Sequence, residues 1–462
     1  MERFLANYAT AAHLALLAVA PLFLFPYCDE SAIATVLLWL SLISATWVLM
    51  APSCRGGEMP HHARARQLNE VVRDPLTWFL LVVVVFAGVR ALNGGVSIAY
   101  DAELMVWSLK PPHVEILPGV VNGCGYFPFA TSVALFVLLL GARHALSYSS
   151  AIAFFAFASA LSGLSAVAAC IGLSYELEPL VKLAQCSYVE PSFVGVAYGV
   201  NLLGGIVALF GCIEAGWHRA EPFAVIGLVS NAIGMVLFSP VAAIAVFFVL
   251  FLVLVVCSLF LMRGRFLGSG ALRCAIAVLL SVATPVLLVM FVDGFGPIAE
   301  KKAAIMAIKP FPDGFVAARD ALSSMALKAW KESPWLGVGL GAFPLNAKFV
   351  ASQVDWSVIA PGQQTPLNGW WTLLVERGIT GALLIALGLA FLAWTYFTRL
   401  VKSFGRGWWR PACLVGPLVV MALTALAFVD CSYLRSDVLM PSAVAIALSA
   451  CAFNTGSRDS GS

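Results

Sequence analysis

Apolar runs of about twenty residues, broken by short polar or Pro/Gly-rich stretches, fill most of this 462-residue chain. A bilayer core of about 30 Å is crossed by roughly 20 mostly apolar helical residues. Runs of that kind lie near 8–27, 32–51, 75–93, 127–142, 150–172, 193–213, 222–238, 241–262, 274–293, 378–398, 411–429 and 437–453. The stretch 222–262 is too long for one helix, and Ser239-Pro240 supplies the turn that divides it. The pattern predicts an all-α, polytopic membrane protein of about twelve transmembrane helices. The first run leads directly into a second and lacks an obvious small-residue cleavage site, so it reads as a span and not as a signal peptide.

Composition narrows the classes further. The chain is 61% hydrophobic and 11% charged, whereas soluble domains average about 25% charged residues. Soluble enzymes, disordered tails, coiled coils and secreted disulfide scaffolds are excluded. A net charge of +3 is too small to argue for nucleic acid. Most of the eleven cysteines, Cys170, Cys212, Cys257 and Cys413 among them, sit in apolar runs as small hydrophobes. There is no CxxC pair or Cys/His ligand spacing, so neither a metal nor another cofactor is expected.

Orientation follows from the placement of Lys and Arg. With the N-terminus inside, the inner segments hold 15 of the 27 basic residues, while Lys110 and Lys182 are the only ones in 94–126 and 173–192. The positive-inside rule then puts both termini in the cytoplasm. The chain divides into helices one to nine (1–293), a long outer loop (294–371), and helices ten to twelve with a tail (372–462).

A structureless loop of that length is unusual in a compact protein, so it is expected to fold and to carry function. Phe311-Pro312-Asp313-Gly314 and Ser333-Pro334 bracket a predicted helix near 314–332. Leu322, Met325, Ala326, Ala329 and Trp330 recur at helical spacing as an apolar stripe, leaving Asp320, Ser324, Lys328 and Lys331 for the wet face. Arg319 falls on the stripe's side. Two readings stand for it: it holds an anionic ligand, or it pairs with a nearby acid or a phospholipid headgroup.

After this helix come Pro334, Gly337, Gly339, Gly341 and Phe343, spaced PxxGxGxGxF, and then Asn368 and Leu373-x-x-Glu376-x-Gly378-x-x-Gly381 at the entry to helix ten. No strand precedes the glycines, which argues against a dinucleotide fingerprint. They suit close backbone approach, or N–H groups offered to a phosphate. Together with Arg319, fifteen residues before Pro334, these positions resemble the bacterial O-antigen ligase and polymerase family, over roughly residues 222–400.

The resemblance implies transfer of a glycan from an undecaprenyl diphosphate carrier to a hydroxyl on the outer side of the inner membrane. The partners it implies are a polyprenyl diphosphate-linked glycan donor, a glycan, lipid A core or protein acceptor, and the lipid bilayer. Two positions depart from the family. Ser239-Pro240-Val241 stands where the family has Ser-Arg-Gly, and Leu367 stands where it has a histidine before Asn368.

The chemistry needs a cation for the leaving diphosphate and a base near the attacking hydroxyl. Arg319 is the first candidate cation. Arg90, at the outer end of the third run, and Lys301-Lys302 are candidates for the missing arginine, against a snorkelling role for Arg90 and a solvated pair for the lysines. His113 and Glu376 are candidate bases, with Asp101 and Glu103 as competitors; Glu376 and Arg377 alternatively fasten the loop to the bundle. Substrate contacts are expected from Arg90, Gly337, Gly339, Gly341 and Asn368. The rival functions are a catalytically silent homologue that binds lipid-linked glycan, and a twelve-helix transporter or flippase, the latter without a visible internal repeat.

Overall fold

The computed structural model describes residues 2–24, 27–28, 30–50, 59–101, 106–110, 120–121, 126–146, 148–175, 177–185, 194–218, 220–239, 241–261, 269–291, 315–339, 343, 368–403, 412–427 and 436–451. The chain is a helical membrane protein. Its helices are α1 (Glu2–Leu24), α2 (Glu30–Met50), α3 (Pro60–Arg73), α4 (Pro75–Leu92), α5 (Phe127–Leu140), α6 (Tyr148–Tyr175), α7 (Glu178–Gln185), α8 (Val194–Glu214), α9 (Glu221–Phe238), α10 (Val241–Leu261), α11 (Ser269–Phe291), α12 (Phe315–Glu332), α13 (Gly369–Ser403), α14 (Ala412–Ala427) and α15 (Ser436–Cys451). Among the described residues eight helices are long and apolar enough to cross a membrane, and α1, α11, α14 and α15 contain shorter apolar segments.

The all-α expectation is amended in one place. The segment after α4, read from sequence as an outer loop, contains strands β1 (Gly94–Asp101), β2 (Val106–Lys110) and β3 (Val120–Val121) in the order β2-β1-β3. The β1–β2 pair is antiparallel, with Ile98 opposite Leu109 and Tyr100 opposite Trp107, and β3 runs parallel to β1. Val96, Ile98 and Tyr100 alternate with small or polar residues, the period-two signal of a strand.

The centre of the bundle is α8, buried along nearly its whole length and packed by α6, α9, α10, α14 and α15. Lipid tails are as apolar as leucine, so close approach and polar contacts, more than a hydrophobic drive, hold such helices together. Both are present. Gly205 lies so near Ser159 that an added Cβ would come within 2.7 Å of its hydroxyl, and a Cβ at Gly227 would sit 3.0 Å from the Ser159 backbone. Across the α6–α9 seam, the Asn231 amide donates to the Ser159 carbonyl and accepts from the Ser162 hydroxyl, each at 2.7 Å, and within α9 it donates to the Gly227 carbonyl at 2.7 Å. Cys170, Cys212 and Cys413 are free thiols buried in the bundle.

The helix that carries Arg90 is anchored at its start by a buried charge cluster. Asp74 separates α3 from α4 and caps α4, accepting from the Leu76 N–H at 3.1 Å. Its other oxygen meets Arg143 Nε at 2.6 Å and His144 Nε2 at 2.9 Å, both from the π-helical turn Gly141–Ala145 that ends α5. Burial pushes the Asp74 carboxyl up, but the His144 hydrogen bond, the Arg143 charge and the Leu76 N–H together outweigh it and hold the group below the usual carboxylate range. A carboxylate depressed in the folded state contributes stability above its ordinary pKa of about 3.9, and that stability is lost as pH falls through the depressed value.

Asp74→Asn is expected to destabilise the protein by about 3 kcal/mol, the lower end for breaking a buried ion pair, because Arg143 keeps some access to water. Thermal unfolding in detergent tests this: the wild type should lose its advantage over the variant below about pH 4. An equal gap at pH 7 and pH 3 would remove Asp74 from that role.

Candidate functional site

The regular geometry of a helix fails at one point in α13. Gly378 has φ 65° and ψ −173°, so the segment Gly369–Ser403 is two helices joined at a kink. A break frees carbonyls on one side and N–H groups on the other, and in or near a membrane each needs a protein partner. The loop after α12 supplies most of them. The Ile379 N–H donates to the Pro334 carbonyl at 2.9 Å and the Thr380 N–H to the Trp335 carbonyl at 3.0 Å; the Val338 N–H donates to the Val375 carbonyl at 2.8 Å. The Thr380 hydroxyl adds a bond to the Trp335 carbonyl at 2.8 Å.

Two glycines make this approach feasible. Gly337 has φ 75°, and a Cβ there would lie 2.5 Å from the Glu376 carbonyl carbon; a Cβ on Gly378 would lie 2.3 Å from the Trp335 oxygen. The two backbones therefore touch where both residues adopt a left-handed conformation that a side chain disfavours. Gly339, also buried, follows in the same loop.

Helix α12 holds the loop in place. Leu322, Met325, Ala326 and Ala329 form a small core with Phe343 and Val375, against which Trp330, Val338 and Trp371 pack. Asp320, Ser324, Lys328 and Lys331 are exposed. The Trp330 indole N–H donates to the Pro334 carbonyl at 3.2 Å, tying the helix to the turn that follows it.

The remaining partner comes from far away in sequence. Arg90, in the last turn of α4, donates from one terminal guanidinium nitrogen to the Glu376 carbonyl at 2.8 Å. Its guanidinium carbon sits 5.4 Å from the centre of the Phe86 ring, within cation–π range. Arg90 is 2% exposed, and among the described residues its Nε has no hydrogen-bond partner. A second contact between the same helices is at Gly388, where a Cβ would come 2.9 Å from the Phe79 ring. Arg377 is close enough for its charge to act on Arg90, and Glu376 acts with the opposite sign.

The structure thus brings Arg90, Glu376, Gly337 and Gly339 to one corner. Asn368 lies at the start of α13, 8% exposed, where its side-chain oxygen accepts from the Trp370 and Trp371 N–H groups at 3.0 and 3.3 Å as an N-cap. Arg319 is the fifth residue of α12, but its side chain lies outside the described residues, as do His113, Gly341, Lys301 and Lys302. Among the described residues no group of three or more His, Cys, Asp or Glu side chains gathers as a metal site requires.

Sequence reasoning offered Glu376 and Arg377 as a fastening of the loop to the bundle but missed Arg90 as the partner of the Glu376 carbonyl. It also missed Trp335, which is 66% exposed while its carbonyl serves Thr380. The one available signal was a lone arginine in an apolar run, and that does not say which distant segment it meets. No model of a known protein family matches the chain, and no curated protein matches it either.

Gly337→Ala and Gly378→Ala are each expected to cost about 2–5 kcal/mol, the sum of a left-handed non-glycine residue and an overpacked contact. Gly216, with φ 69° and nothing within 4 Å of its would-be Cβ, isolates the backbone part, so Gly216→Ala should cost only about 1–2 kcal/mol. Thermal unfolding of the three variants decides the matter: equal losses would show that the α13 corner is not close-packed.

Proposed function

We propose that the protein transfers a glycan from a polyprenyl diphosphate carrier to a hydroxyl acceptor on the outer side of a bacterial inner membrane, as a ligase or polymerase of the O-antigen type with twelve spans and both termini cytoplasmic. The single observation that carries the reading is Arg90, buried beside the glycine corner with one guanidinium N–H uncommitted. An arginine in that state favours an oxyanion, because the charge is fixed, desolvated and already oriented by the Glu376 carbonyl. The sequence lacks the family's Ser-Arg-Gly arginine at 239–241, and Arg90 is the described cation best suited to take its place.

In this reading the carrier's diphosphate departs from the anomeric carbon as the acceptor oxygen bonds to it. Negative charge grows on the leaving phosphate, and the Arg90 guanidinium, with Arg319 from α12, stabilises that charge. The acceptor proton goes to a base, for which Glu376 and His113 are the candidates. Gly337, Gly339, Gly341 and Asn368 shape the loop and the helix entrance around the substrate.

Leu367 in the place of the family's histidine favours a second reading, a homologue that binds lipid-linked glycan without turning it over. One experiment separates the two. Mass spectrometry of undecaprenyl-linked glycans is made in cells with the gene, without it, and with Arg90→Lys or Arg319→Ala. Catalysis predicts that deletion accumulates single repeats, for a polymerase, or long chains, for a ligase, and that both variants resemble the deletion at normal protein levels. Arg90→Lys keeps the charge and removes the fork, so its failure points to anion geometry and not to charge alone. His113→Ala should slow transfer about 10²- to 10⁴-fold if His113 is the base. A lipid-linked pool that ignores the deletion overturns catalysis and leaves binding.

A further inference from the structure

Helix α3 is too polar to span a membrane, yet Asp74 alone separates it from α4, which is long and apolar enough to do so. One face is spoken for: Ala63 and Gln67 are buried and Val71 is half-buried against the bundle. Its C-terminal end is fastened as well. The Thr77 hydroxyl donates to the Val71 carbonyl at 2.6 Å and the Trp78 indole to the Val72 carbonyl at 2.8 Å. At its other end Arg64 donates to the Met50 carbonyl, the last residue of α2, at 3.1 Å. The helix is therefore held at the level where two neighbouring spans begin and end.

Beside that face, and next to exposed His61, Ala65 and Asn69, lie Leu68, 48% exposed, and Val72, 55% exposed, continued by Trp78 at 56%. Exposed Arg64 stands one turn before Leu68 on the same ridge, and exposed Arg73 follows Val72 at the end of the helix. An apolar stripe flanked by arginines, at bilayer-boundary depth and with an indole beside it, is the pattern of a helix lying in a membrane interface. We infer that α3 binds the surface of an anionic phospholipid leaflet, with Leu68, Val72 and Trp78 at the acyl boundary and Arg64 and Arg73 on the headgroup phosphates. The Asp74 cluster with Arg143 and His144 fixes the helix at the angle this contact requires. The inference is independent of glycan transfer and of which leaflet faces the cytoplasm.

The test is hydrogen exchange of residues 60–73 in nanodiscs of phosphatidylcholine alone or with phosphatidylglycerol added. Phosphatidylglycerol should slow exchange in the wild type by about fivefold for each arginine in contact, and the R64Q/R73Q variant should exchange alike in both lipids. Should that variant fail to reconstitute, high salt is applied to the wild type, where the slowing should vanish with screening. Exchange in the wild type that is the same in both lipids, or slowing that survives in R64Q/R73Q or at high salt, overturns the proposal.

Discussion

A span that breaks must settle its own backbone, and the break at Gly378 organises everything around the candidate site. The freed N–H groups of Ile379 and Thr380 and the freed carbonyls of Val375 and Glu376 find four different partners. Three lie in the short run Pro334–Val338 and the fourth is the side chain of Arg90. The corner is buried, and a group left unpaired there would forfeit a hydrogen bond, so the loop and the arginine contribute to holding the break in place. A segment remote in sequence and a helix from the first quarter of the chain are thereby fixed to one corner by hydrogen bonding, before any substrate is considered.

That requirement explains why an arginine can persist there at all. A guanidinium 2% exposed is costly unless its charge and its donors are answered. The Glu376 carbonyl and the Phe86 face answer part of it, the Glu376 charge a further part, and Arg377 works against them. The uncommitted Nε is the unsettled remainder. It is this remainder that the proposed function assigns to a substrate oxyanion, because the chain has already met the desolvation cost that a solvated lysine would meet only on binding.

Much of the architecture was legible in the sequence because hydrophobic length and period two physical scales directly: the bilayer thickness and the helical turn. The apolar runs became helices at their expected places, and the α12 residues Leu322, Met325, Ala326 and Ala329 are buried as their spacing implies. The sheet was hidden. Its strands are short, and in so apolar a chain the alternation of Val96, Ile98 and Tyr100 stands out weakly against the background. The glycines were legible as a request for close backbone contact, but not for contact with what. That Gly337 meets Gly378 depends on a kink that Leu-x-x-Glu-x-Gly does not announce, since an isolated glycine in a helical pattern is equally compatible with an unbroken helix. The Arg90 contact, 286 residues apart, depends on helix packing that one sequence does not encode locally.

Helix α4 joins these features into one mechanical element. Its first residue follows Asp74, clamped by Arg143 and His144, and its last turn carries Arg90, clamped to α13. Between the two lies a run whose 18 residues rise about 27 Å at 1.5 Å each, close to the bilayer core of about 30 Å. The middle offers lipid and neighbours only apolar surface, so it resists vertical displacement but not sliding about its axis or along its packing face. The buried charges at either end supply that missing restraint, because moving either clamp would strip a desolvated ion of its partners. The strut is thus fixed in depth by its apolar length and in register by its two ends. A site that depends on an arginine held to within a hydrogen bond of a distant carbonyl needs both.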